Sequence, residues 1–94
     1  MLRPDPLPDP ETVALMALGF IAGNDALLSR FLALSGLELA EIKARIEDPA
    51  LHAGLLDFLL AHEPDLLAFA DHAGLPATAI AAARRKLPGA APAS

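Results

Sequence analysis

Apolar positions along this chain fall at helical spacing, and the pattern is written twice. Phe31-Leu32-Ala33-Leu34-Ser35-Gly36-Leu37 leads on to Ile42, and Phe69-Ala70-Asp71-His72-Ala73-Gly74-Leu75 leads on to Ile80 with the same spacing. An Asp-Pro pair and a strongly apolar stretch precede each copy, at Asp9-Pro10 and at Asp48-Pro49. Asp accepts hydrogen bonds from the first turn of a helix and Pro suits its first position, so each pair marks a helix start. Gly after the last apolar position supplies a left-handed stop, and the Leu behind it folds back on the last turn in a Schellman arrangement. The pattern therefore predicts an all-α fold of six short helices, arranged as two tandem three-helix units with helix-Gly-Leu-helix corners.

The six segments can be placed from these signals. The first helix opens at Pro10, with Asp9 as cap and Glu11 in its first turn, and runs to about Ala22. The second is capped by Asn24 or Asp25 and carries Leu27, Leu28, Phe31, Leu32 and Leu34. The third covers about Glu38 to Glu47, with Leu39, Ile42 and Ile46 on one stripe. The fourth begins at Pro49 behind Asp48 and includes Leu51 to Leu60. The fifth begins at Pro64; it exposes Asp65 and Asp71 and buries Leu66, Leu67, Phe69, Ala70 and Ala73. The sixth runs from Pro76 to Leu87, where Pro88 blocks it. The first and fourth helices are apolar nearly all round, which predicts a central pair crossed by four amphipathic helices and related by a pseudo-two-fold axis. Residues 1–8 read as an extended Pro-rich arm, 9–87 as a single helical domain and 88–94 as a disordered tail.

Composition narrows the function classes. The 94 residues are 54% apolar, with no Cys, Trp or Tyr, so disulfides, thiolate chemistry and Cys-based zinc sites are absent. A net charge of −5 disfavours phosphate backbones and anionic lipid. The longest uncharged stretch, Thr12 to Asn24, is too short to span a bilayer, and the Pro-rich, acidic Met1 to Glu11 segment does not suit a secretory leader. The expectation is a cytoplasmic protein with no membrane contact.

Candidate chemistry adds little. Ala70, Gly74, Leu75 and Ile80 fit a helix-turn-helix, and Leu32, Gly36, Leu37 and Ile42 fit it less well. The helices that would read DNA start Pro76-Ala77-Thr78-Ala79 and Glu38-Leu39-Ala40-Glu41, poor in the Arg, Lys, Asn and Gln that read base edges. Arg84-Arg85-Lys86 is the one basic cluster; it complements the negative end of the sixth helix or docks an acidic partner. His52, His62 and His72 share no helical face, and each reads as solvent-facing or helix-terminal. His62-Glu63 lacks the second His of a zincin motif, since Leu66 stands there. Asp57 interrupts an apolar run; it marks the solvent edge of the fourth helix or pairs with Arg30 or another cation. Ser29, Ser35 and Thr78 have no base beside them in the pattern. No catalytic, cofactor or metal residue is assigned.

Arg30-Phe31-Leu32-Ala33-Leu34-Ser35-Gly36-Leu37, then Asp48-Pro49, Leu56-Asp57-Phe58-Leu59-Leu60, Glu63, Phe69 and Ala83, resemble a family of short alphaproteobacterial proteins, domain of unknown function 3572, over about residues 11 to 87. Ser35 stands where the resemblance leads one to expect Thr, and Glu38-Leu39 where a capping Asp or Pro is commoner. The family offers no activity to carry over, so no residue inherits a role. The expected function is a small protein-interaction or regulatory module, not an enzyme and with no cofactor, binding itself or another protein through an apolar patch at Leu15, Leu18 and Phe20 and the basic residues Arg84, Arg85 and Lys86. The alternative is a degenerate helix-turn-helix regulator, and the third reading an enzyme.

Overall fold

A computed structural model describes residues 9–89. They form six helices: α1 (Pro10–Ala22), α2 (Asp25–Ser35), α3 (Leu39–Ala44), α4 (Pro49–Leu60), α5 (Glu63–Ala73) and α6 (Ala77–Arg85), with no strand among the described residues. The expected all-α fold and helix order hold. The arm over residues 1–8 lies outside the described residues, as does the tail beyond Gly89.

Helix starts follow the side chains that satisfy the free N–H groups of a first turn. The Asp9 carboxylate accepts from the N–H groups of Glu11 (3.1 Å) and Thr12 (3.4 Å). Asn24 Oδ1 accepts from Ala26 (3.0 Å) and Leu27 (3.1 Å), and Asp48 Oδ1 from Ala50 (2.9 Å). Gly36 and Gly74 take the left-handed conformation, with φ of 74° and 71°. The two corners differ in detail. At Gly74 the Leu75 N–H donates to Ala70 O (2.9 Å) and the Gly74 N–H to Asp71 O (3.3 Å), the Schellman pattern. At Gly36 the glycine N–H donates to Leu32 O (2.9 Å), and the Leu37 N–H goes to Ser35 Oγ (3.2 Å) instead. The Ser35 hydroxyl diverts the bond that would complete a Schellman stop, leaving the simpler left-handed cap.

The core sits between α1 and α4, which pack against each other and are crossed by α2, α5 and α6. Val13, Ala14, Ala17 and Ile21 of α1 and Leu51, Leu55, Leu56 and Leu59 of α4 are all buried in one core cluster. Two aromatic contacts disclose the internal symmetry. Phe58 of α4 meets Phe31 of α2 edge-on, with centroids 5.3 Å apart. Phe20 of α1 meets Phe69 of α5 at 5.5 Å. The shift along the chain that carries Gly36 onto Gly74 also carries Phe20 onto Phe58 and Phe31 onto Phe69. Each central helix thus pairs its Phe with the second helix of the other unit, so the two units interlock through reciprocal contacts rather than stand side by side.

The symmetry fails at the third helix. α6 packs on α1, α4 and α5, whereas α3 has six residues and lies at the periphery. The expected Leu39-Ile42-Ile46 stripe is only partly realised: Ile42 is buried, Leu39 is exposed, and Ile46 lies beyond the helix end. Asp48 precedes a proline and is held extended (φ −79°, ψ 121°), so the chain must leave the helix before it. Arg45 ends α3, and the Asp48 N–H bonds its carbonyl at 2.8 Å.

Three further expectations are corrected. Leu67 is 52% exposed, because Leu66, Phe69, Ala70 and Ala73 already form the inward stripe of α5 and Leu67 lies off it. His52 is buried: its Nε2–H donates to the Ile46 carbonyl at 2.7 Å, tying the α3–α4 connection onto α4. Asp65 is half-buried, bonded to Arg30 and to His62 Nδ1 (2.8 Å) across the start of α5.

Candidate functional site

The residues singled out by the sequence do not gather at one place. Leu15 of α1 is exposed and Leu18 is half-buried. Phe20 turns inward, its ring packed on Phe69 and on His72 (5.3 Å). The outward face of α1 consists instead of Thr12, Leu15, Met16, Gly19 and Ala22, spaced three and four apart and all exposed. Glu11, also exposed, stands one turn before Leu15 at the start of this face and is its one charge. A Cβ placed on Gly19 would meet no atom within 4 Å, so nothing inside the protomer requires glycine there. Glycine in a helix interior is about 1 kcal/mol less favourable than alanine. Beyond Glu11 the face carries a glycine and no charge, an unusual composition for the water-facing side of a helix.

The basic cluster divides. Arg84 is directed into the protein, its side chain 11% exposed. It grips Asp57 of α4 with two bonds, Nε to Oδ1 at 2.6 Å and Nη2 to Oδ2 at 3.1 Å. It also donates to the carbonyls of Leu87 (3.4 Å), Pro88 (3.3 Å) and Gly89 (3.0 Å), closing the end of α6. Asp57 lies at the solvent edge of α4, as expected, with Arg84 rather than Arg30 as its cation. Arg30 lies over the Phe58 ring at 5.1 Å and bonds Asp65. Arg85 and Lys86 alone remain exposed, on the last turn of α6.

A feature the sequence reading missed lies between α2 and α4. There Phe31 and Leu34 of α2 face Leu51, Gly54 and Phe58 of α4 across a groove of about 490 Å³, with Arg45 at its edge. Its signal was present in the sequence as the glycine at position 54, inside an otherwise apolar helix. Among the described residues no group of three or more His, Asp or Glu side chains could hold a metal ion, and no buried side-chain polar atom lacks a partner. No single described helix is long and apolar enough to cross a membrane.

A family model, described as a protein of unknown function (DUF3572), matches residues 8–90. The chain belongs to that family. Its match spans both three-helix units, so the interlocked pair is the family's unit rather than a single three-helix repeat. No curated protein and no solved structure matches the chain.

Proposed function

We propose that this chain is a protein-interaction module of the cytoplasm, working without a catalytic step of its own, and that it pairs with a second copy through α1. The observation that carries the reading is the outward stripe Thr12, Leu15, Met16, Gly19 and Ala22, uncharged beyond Glu11 at its start. A soluble helix ordinarily covers its outer face with charge. Two copies of a chain with net charge −5 repel each other over most of their surface, and this face is where they can approach without that repulsion. Gly19 at the middle of the stripe lets two helix backbones come close, and an isologous contact closes at two chains. Leu18 and Phe20, placed at or behind the edge of the stripe, support it rather than form it.

Light scattering at micromolar concentration tests the reading. The expected mass is twice the 9.8 kDa of one chain. Leu15→Glu is expected to return a folded monomer, and Arg85→Ala to leave the dimer intact. A wild-type monomer under these conditions overturns the homodimer.

One observation favours a second reading. α6 leaves α5 at a bend of 101°, within the range for helix-turn-helix corners. Against it, Arg84 is committed to Asp57, and the start of α6 presents Thr78 as its one polar side chain. A nanomolar, sequence-specific duplex complex at physiological salt would promote the DNA-binding alternative; the expected retention is that of an unrelated acidic protein.

A further inference from the structure

The outward face of α1 carries a size pattern that fixes how it can meet a copy of itself. Thr12, Leu15, Gly19 and Ala22 run along its middle at spacings of three, four and three, those of a seam between two helices, and each forms a layer with the helix opposite. Leu15 is the one large side chain of the four, and it is 37% exposed. Gly19, one layer on, has no side chain, and a Cβ there would meet nothing within 4 Å. In a parallel, in-register pair every residue meets itself. Leu15 then crowds Leu15, and Gly19 faces Gly19 across a gap whose lining atoms lose their contacts. In a pair reversed about an axis level with Ala17, Thr12 meets Ala22 and Leu15 meets Gly19, so both central layers set a large residue on a small one. The face is its own complement only when reversed, and self-complementarity is what an isologous contact between identical chains requires. Charge favours the same direction. The two Glu11 side chains stand together at one end of a parallel pair and at opposite ends of an antiparallel one.

We propose that two copies pair with their α1 helices antiparallel, Leu15 of each seated on Gly19 of its partner. The inference rests on pairing through α1 and adds its direction and register. It gives Gly19 a use that nothing inside the protomer supplies: the missing side chain is the space that the partner's Leu15 fills. It also places Met16. The two-fold axis runs normal to the plane of the helix pair, so the two Met16 side chains flank it on the same side of the seam, each within about one helical rise of the axis level. Thr12 and Ala22 close the two ends.

Thiol mapping tests this in the full chain, which has no native cysteine. Thr12→Cys and Ala22→Cys each place one thiol at an exposed end of the seam. Both sites face solvent, so circular dichroism at 222 nm is expected to match the wild-type chain. Each variant alone, and the two mixed while reduced, are oxidised mildly at micromolar concentration, and intact mass identifies the products. Antiparallel pairing sets position 12 of one copy beside position 22 of the other, whereas two residues at position 12 lie about 15 Å apart along the axis. A disulfide joins Cα atoms no more than about 7 Å apart. The expected result is the mixed disulfide as the main product of the mixture, with little product from either variant alone. A same-position disulfide that forms as readily as the mixed one overturns the antiparallel direction and leaves the dimer standing. No disulfide in any sample, from a chain that scatters light as a dimer, moves the contact off this seam and overturns the proposal as well. A wild-type monomer in light scattering removes the pairing itself, and its direction with it.

Discussion

Truncating Phe31 and Phe69 to alanine, one at a time, removes the same ring from two places that the repeat makes equivalent, yet the costs should differ. Both rings are buried, each against a Phe of a central helix. Phe→Ala in a core costs about 3–5 kcal/mol, a transfer part plus a cavity part of roughly 24 cal/mol per Å³. Phe69 is fully buried against Phe20 of α1, and a residual cavity there on the order of 50–100 Å³ adds roughly 1–2 kcal/mol. At Phe31 the space opens into the α2–α4 groove, where water can enter, and most of that part disappears. Phe69→Ala is therefore expected near the top of the range and Phe31→Ala near the bottom. For a domain of this size each kcal/mol moves the melting temperature by about 4–8 °C. Thermal unfolding followed by circular dichroism at 222 nm reads the difference directly. A Phe69→Ala chain that fails to fold beside a folded Phe31→Ala chain gives the same ordering. Equal losses, or a larger loss at Phe31, would refute the argument that the groove is open to solvent beneath α2.

Other perturbations follow from the same packing. Leu56→Ala, at a fully buried position of α4, is expected to cost about 2–5 kcal/mol in urea unfolding; a loss below about 0.5 kcal/mol would mean α4 is not central. Gly36→Val and Gly74→Val each place a β-branched residue at positive φ and are expected to cost at least about 1–2 kcal/mol, checked by the shift in urea midpoint. His52→Leu leaves the Ile46 carbonyl without its donor and is expected to destabilise by about 1–3 kcal/mol, with amide exchange accelerated first in the α3–α4 connection.

Helix starts and stops were legible because each depends on one or two adjacent residues. Asp9-Pro10, Asp48-Pro49, Gly36 and Gly74 act locally, and their geometry needs no knowledge of what packs above them. What escaped the reading was set by register between helices. The shift that aligns the two glycine corners also aligns His52 with Ala14, a buried position, so the repeat itself held the signal that His52 faces inward. Leu67 beside Leu66 is a similar case: adjacent residues on a helix point about 100° apart, and one inward stripe cannot take both. The length of α3 depended on a competition between its own apolar spacing and the extended residue that Pro49 demands, a conflict that composition does not resolve. The Arg84–Asp57 grip and the groove both arise from where α6 and α3 come to rest, and neither placement follows from local pattern.

The pairing of two chains through α1 is the central claim, and the absence of native cysteine allows a direct measurement. Met16→Cys places one thiol on the outward stripe, and Ser29→Cys places one on the exposed surface of α2 as a control. Under mild oxidation at micromolar concentration, the account predicts that Met16→Cys converts rapidly to a disulfide-linked dimer while Ser29→Cys stays largely monomeric on a non-reducing gel. Equal and slow cross-linking of both variants would contradict it.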